Sequence, residues 1–315
     1  MLARYLMPMA ALAAACHEPA SSEPLPGARA STAADVAGAT TTIAVVAGGR
    51  QRKVLVHVPK AAHDGMALVL NLHGTGHTAA EQEEFSGMDA TADAAGFVVA
   101  YPQGDIPMGD GFAWSVPGQP LRNGAPVPAG AADDVEFVRQ SITALTQSHR
   151  IDPKRVYVTG YSGGARMASE LACDLPSFAA VAPVDGVRFP ESCDNARPLP
   201  ILAFHGTDDP VNPYDGGAQP PWTYGVDEAI ARWAAHDACR APAPPSQPAP
   251  SVRLADFEGC AGGGAVALYT IEGMGHEWPG GPPMPARITA RLGAQSRAID
   301  ANAVMWAFFR AHPLS

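Results

Sequence analysis

The sequence predicts an α/β protein with a mostly parallel central sheet and helices on both faces, and three observations lead there. Short runs rich in β-branched residues alternate with segments whose apolar residues recur every three to four positions, the signature of strand and helix taken in turn. Several runs, such as Ala67 to Leu72 (ALVLNL) and Phe97 to Ala100 (FVVA), are almost continuously apolar, as strands buried on both faces are. The reactive residue types fall just past such runs, where open parallel sheets gather their ligands.

Taken in order, Thr41 to Val46 and Lys53 to Val58 read as an antiparallel hairpin joined through Gly48-Gly49. Ala67 to Leu72 is a central strand that runs into His73-Gly74-Thr75-Gly76-His77-Thr78. Glu81 to Ala95 is expected to be helical, and Phe97 to Ala100 to be the next strand. About thirty residues rich in Gly and Pro follow, with Phe112 and Trp114 as candidates either for a substrate pocket or for anchoring the loop. Asp133 to Ser148 carries Val135, Val138, Ile142 and Leu145 on one face, with Asp133-Asp134 suited to cap it. Strands are expected at Val156 to Thr159, Phe178 to Val184, Pro200 to Phe204 and Ala265 to Ile271, and a helix at Gly225 to His236. Ala241 to Pro250 reads as a Pro-rich surface excursion. In the terminal helix Ile299, Ala303, Trp306 and Phe309 or Arg310 are taken as the inward face.

The chain has 315 residues, 47% of them hydrophobic, enough for one large core. Its net charge of -10, with lysine at only three positions (Lys53, Lys60 and Lys154), argues against nucleic acid as a partner. Met1 to Ala15 has one basic residue, Arg4, and then an Ala-rich apolar run, which reads as a secretory signal. That run ends Ala13-Ala14-Ala15-Cys16, which resembles a bacterial lipobox and implies lipidation of Cys16 and attachment to a membrane; ordinary signal cleavage nearby is the alternative. Residues 17–40 are Pro/Ser/Ala-rich and suit a tether, leaving 41–315 as a single catalytic domain expected to be a monomer. Export places the chain in an oxidising compartment, whether periplasm, cell surface or medium. Cys173, Cys193, Cys239 and Cys260 allow three pairings; Cys173 with Cys193 and Cys239 with Cys260 are preferred, since each closes a loop of about twenty residues. No Cys or His spacing suggests a metal, and no cofactor is implied.

The stretch Val156 to Ala172 (VYVTGYSGGARMASELA) carries the chemistry. Gly160, Ser162 and Gly164 form G-x-S-x-G between a strand and a helix, a turn that exposes the serine hydroxyl above free backbone N–H groups. With 15 serines and 32 glycines in 315 residues, roughly 0.15 such matches arise by chance, so order along the chain must support the motif. It does: Asp209 follows a later strand and His276, between Gly273 and Gly275, follows the last, the Ser–Asp–His order of α/β-hydrolases. A serine hydroxyl is a weak nucleophile at neutral pH, so a histidine must take its proton and a carboxylate must hold the imidazole. Asp208 and Asp185 remain rivals of Asp209 for that carboxylate. Backbone N–H groups of Thr75 and Gly163 are the candidate oxyanion donors.

From Thr41 onward the chain resembles the secreted esterases of the polyhydroxybutyrate depolymerase and feruloyl esterase group, which includes LpqC-like proteins. The resemblance rests on Leu72-His73-Gly74, Tyr101-Pro102-Gln103-Gly104, Asp133-Asp134-Val135, Arg155 to Ala165, His205 to Pro210, and Gly275-His276-Glu277-Trp278-Pro279-Gly280-Gly281. It implies an α/β-hydrolase fold, a serine esterase acting on carboxylic esters through an acyl-enzyme, and Asp209 as the acid. Substrate contacts are expected from Trp114, Tyr161 and Trp278. The chain departs from the group at Gly163, where Asn or Ala is frequent, and at Ser115, where Asn is frequent. A peptidase or acyltransferase on the same fold, and a non-catalytic binding lipoprotein, are the other readings.

Overall fold

The computed structural model describes residues 38–193 and 197–315. The signal segment, Cys16 and nearly all of the expected tether lie outside the described residues. β1 (Ala39–Ala47) and β2 (Arg50–Val58) form the expected hairpin, with Ala47 opposite Arg50 across Gly48 and Gly49. Both glycines have positive φ, 55° and 74°, which a two-residue hairpin turn requires and a side chain resists.

Six strands run parallel at the centre of the sheet in the order β4 (Val98–Pro102), β3 (Met66–Leu72), β7 (Ile151–Tyr161), β8 (Ala180–Val184), β9 (Ile201–Gly206) and β12 (Val266–Ile271). The β1–β2 hairpin joins β4 antiparallel at one edge. At the other edge β11 (Val252–Phe257) and β10 (Ser246–Ala249) add antiparallel strands to β12. The expected Pro-rich excursion therefore contains an edge strand, a position that tolerates Pro because one side of the strand is unpaired. A separate small hairpin, β5 (Ile106–Met108) with β6 (Gly111–Ala113), sits in the long Gly/Pro-rich segment.

Alternation along the strands divides the core in two. In β3, Leu68, Leu70 and Leu72 face the layer of α3 (Asp134–Ser148), α4 (Gly163–Asp174) and α5 (Val226–His236), whereas Ala67 and Val69 face the opposite layer. That second layer holds α1 (Ala79–Ser86), α2 (Met88–Ala95) and α7 (Ala301–Ala311). The single helix expected over 81–95 is two helices, broken at Gly87, which takes φ 59° and caps α1 by donating its N–H to the Glu83 carbonyl. The buried face of α7 is Ala301, Asn302, Met305 and Phe309, about one position away from the expected stripe, and Ala303 is exposed. The sheet surface it covers sets that rotation, since Tyr157 of β7 stacks on Phe309 with ring centroids 4.7 Å apart. A short helix, α6 (Ala286–Leu292), was not expected from the sequence and buries none of its residues.

Both preferred disulfides are present, Cys173–Cys193 and Cys239–Cys260, closing loops of 20 and 21 residues. Among the described residues no helix is long and apolar enough to cross a membrane.

Candidate active site

Ser162 stands between β7 and α4 with φ 55° and ψ −112°, a conformation costly for any residue with a side chain. Its surroundings enforce the turn. A Cβ at Gly160 would come within 2.6 Å of the Gly164 carbonyl, and one at Gly164 would overlap the Leu72 carbonyl. Only hydrogen fits at either position, which is the physical content of the flanking glycines. The N–H of Ser162 donates to the Val184 carbonyl at 2.9 Å, tying the turn to the neighbouring strand.

The loop after β3 lies against this turn. A Cβ at Gly163 would stand 3.0 Å from the Thr75 nitrogen and overlap its Oγ1, so glycine here is what lets the two candidate oxyanion donors approach each other. The Gly163 N–H, first in its helix, has no acceptor within that helix. The loop is held rigidly from below. His73 is fully buried; its Nε2 accepts the Gly104 N–H at 2.9 Å, which leaves the proton on Nδ1 to donate to the Gly74 carbonyl. Burial pushes its pKa down to about 4, so the ring stays neutral and keeps that tautomer. The β5–β6 hairpin clasps the loop from the side through Gly76 N–H to Phe112 carbonyl (2.8 Å) and Phe112 N–H to His77 carbonyl (3.0 Å).

His276 and Asp209 meet after β12 and β9: Nδ1 donates to Asp209 Oδ2 at 2.7 Å, which leaves Nε2 with its lone pair. Asp209 Oδ1 accepts the N–H groups of Val211 and Asn212, both at 2.8 Å, and Oδ2 also lies 3.4 Å from His205 Nε2. Burial opposes the charge on Asp209, but the nearby His205 imidazole, whose Nε2 bonds the Asn212 carbonyl, and the hydrogen bond from His276 outweigh it and hold the carboxyl well below the usual range. Burial lowers the pKa of His276, against the pull of Asp209. The His276 N–H donates to the Leu292 carbonyl, and Tyr161 Oη donates to the His276 carbonyl at 2.7 Å.

The two rivals of Asp209 stand elsewhere. Asp208 is exposed and accepts from Thr207 Oγ1. Asp185 is fully buried, and its oxygens accept the N–H groups of Gly206 (3.1 Å) and Glu277 (2.9 Å), so it fastens the histidine loop to the end of β9. Burial, with the Asp209 charge nearby, raises its pKa well above the ordinary value. Asp185, His205 and Asp209 bring possible ligand atoms within 4.8 Å of one another, but the carboxylate oxygens are already engaged by backbone N–H and imidazole donors.

Ser162, His276, Gly74, Thr75 and Tyr161 all line one cavity of about 460 Å³. The two tryptophans expected to contact substrate do not. Trp114 is 2% exposed, lies over the His73 ring and donates Nε1–H to the His73 carbonyl at 2.8 Å. Trp278 is 0% exposed and donates to Asn302 Oδ1, while Asn302 donates to the Ser86 carbonyl. An indole buries a large area and carries one donor, so packing and a carbonyl partner satisfy it inside the protein. Asp134 was expected to serve only as a helix cap. Asp133 makes that bond, to the Glu136 N–H, whereas Asp134 is buried, pairs with Arg52 at 2.7 Å and accepts the Ser115 N–H. It thereby pins the segment that carries Trp114. The cavity wall opposite the serine comes from residues the sequence did not single out: Phe85, Arg122, Val211 and the run from Pro282 to Leu292. The apolar spacing of that run was the available signal, and its prolines obscured it.

Residues 52–267 match the model of the Esterase PHB depolymerase family. NocK, an inferred esterase of Nocardia uniformis subsp. tsuyamanensis, is 36% identical over 84% of this chain and 83% of its own length. Feruloyl esterase B of Piromyces equi is 34% identical over 71% of this chain, which spans only 42% of that longer protein. Among solved structures, acetyl xylan esterase from Aspergillus awamori superposes with a TM-score of 0.57 at 17% identity, covering 80% of this chain and 97% of that one, a likeness of fold.

Proposed function

The chain belongs to the Esterase PHB depolymerase family, an α/β-hydrolase fold acting on carboxylic esters, and from that premise we propose which residues perform the hydrolysis. Ser162 attacks the ester carbonyl while His276 Nε2 takes its proton. The N–H groups of Gly163 and Thr75 receive the oxyanion, each contributing about 3 kcal/mol to the barrier reduction. Asp209 holds the imidazole in the tautomer that can accept and stabilises the imidazolium that forms. His276 then protonates the leaving alcohol, and water, deprotonated by the same nitrogen, releases the acid from the acyl-enzyme. The observation that carries this reading is the 2.7 Å bond between His276 and Asp209 beside a strained Ser162 on the same cavity.

Relatives named as feruloyl esterase, poly(3-hydroxyalkanoate) depolymerase and acetylxylan esterase support hydroxycinnamoyl esters, hydroxyalkanoate oligomers or acetylated polysaccharide as the substrate class. The N-terminal signal and lipobox pattern support export, with Cys16 as the anchor if lipidated. Covalent labelling by an organofluorophosphonate, abolished in Ser162→Ala, tests the nucleophile. Labelling that persists in that variant refutes it.

A further inference from the structure

Three guanidinium groups stand around the cavity that holds Ser162 and His276, namely Arg122, Arg287 and Arg291. Among the described residues none of the three makes a side-chain hydrogen bond or an ion pair, whereas Arg52, Arg139, Arg150, Arg232 and Arg253 are all paired with carboxylates. Arg122 stands close enough for its charge to act on His276, and Arg291 for its charge to act on His77, which lines the same cavity. The carboxylates on the same wall are Glu81 and Glu84, and Glu81 is occupied by the N–H (2.7 Å) and hydroxyl (2.9 Å) of Thr78. In a chain with a net charge of -10, the lining over the serine thus carries three cations against two carboxylates, a net positive balance. Between the arginines the wall is apolar, with Met284, Ile288 and Leu292.

The three guanidinium groups are exposed at the rim of the cavity, where such groups attract an anion and can bind a carboxylate through two parallel hydrogen bonds. We infer that the preferred substrate is an ester that bears a carboxylate near the scissile bond, its apolar body against Met284, Ile288 and Leu292 and its charge between Arg122, Arg287 and Arg291. This rests on the esterase reading above and narrows it. A carboxylate can reach the site from either half of the ester: a dicarboxylic acid monoester carries it on the acyl side, and a short hydroxyacid oligomer with a free end carries it on the leaving alcohol.

The test compares matched charged and neutral esters on the wild-type chain and on Arg122→Gln, Arg287→Gln, Arg291→Gln and the triple variant. One pair is 4-nitrophenyl hydrogen succinate against 4-nitrophenyl butyrate; the other is the hydroxybutyrate dimer acid against its methyl ester. The expected result is a kcat/KM ratio, charged over neutral, that falls roughly two- to fivefold with each arginine removed, through KM. The ratio also falls on raising salt from about 0.01 M to about 0.5 M, where screening shortens to a few ångströms. The pair showing the effect identifies which half carries the charge. A ratio that stays within twofold of wild type in the triple variant, for both pairs, overturns the inference while leaving the esterase reading intact. Failure of the wild-type chain to hydrolyse any of the four esters overturns both.

Discussion

Replacing Asp209 by Asn is the sharpest probe of how the site works, because the surrounding bonds dictate how the new amide must sit. Oδ1 of Asp209 accepts two backbone N–H groups at 2.8 Å, and an Asn keeps both only if its oxygen occupies that place. Its NH2 group then points at His276 Nδ1 in place of the carboxylate oxygen now 2.7 Å away. Two donors cannot share that bond, so the imidazole moves its proton to Nε2, the nitrogen that must accept from Ser162. The turned-over amide would instead face both backbone donors and lose their bonds, at about 1–3 kcal/mol for each buried group left unpaired. The expected loss in kcat on 4-nitrophenyl butyrate is on the order of 10⁴-fold, equivalent to about 5.5 kcal/mol in the barrier. The fold is retained, checked by thermal melting at neutral pH. Since the folded carboxyl titrates below its unfolded value of about 3.9, it stabilises the protein above that pH and the contribution is lost as pH falls through the folded value. The Asn variant lacks that acid-side loss. Turnover within tenfold of wild type would refute the reasoning and move the acid to Asp185 or Asp208.

Trp114→Phe keeps an aromatic face on His73 but removes the N–H bond to its carbonyl, so kcat falls about fivefold with KM nearly unchanged; a change confined to KM would instead make Trp114 a substrate contact. Because burial lowers the His276 pKa, the acid limb of kcat/KM should have its midpoint below about 6.5; a midpoint above that means the pull of Asp209 outweighs burial, and a rate independent of pH from about 5 to 8 contradicts the role of His276 as base. Glu277 is fully buried with both carboxyl oxygens unpartnered, and burial raises its pKa to about 7. A raised acid stabilises below its unfolded pKa and costs stability as pH rises through the folded value, here about 1–3 kcal/mol between roughly pH 4.3 and 7. Glu277→Gln should flatten denaturant-measured stability across that window, and an unchanged slope counts against the assignment.

How much of the site was legible varied with the kind of signal. The turn at Ser162 could be read because strand, glycines and helix are contiguous, and the order of Asp209 and His276 could be read because parallel strands deliver their loops to one edge. The roles of Trp114 and Trp278 could not. Their neighbours in sequence favour an exposed pocket, whereas their partners, the His73 carbonyl and Asn302, lie 41 and 24 residues away. Asp134 shows the same limit: its local position says helix cap, but the guanidinium it pairs with is 82 residues distant.

By itself, then, the sequence determined the α/β layering, the hairpin at Gly48-Gly49 and the glycine-lined turn at Ser162. It also singled out the cysteine pairs that the structure joins. These depend on interactions over a few residues, or on loop closures short enough to read from spacing. Tertiary structure alone decided the rotation of α7, the burial of both tryptophans and the makeup of the cavity wall. Each of those depends on which surfaces from distant segments meet, and close packing, which admits one arrangement among many with the same periodicity, selects it. For the same reason the turn at Ser162 is read from a motif, while the arginines above it become visible only once Arg122 and the segment ending at Leu292 are folded over the same cavity.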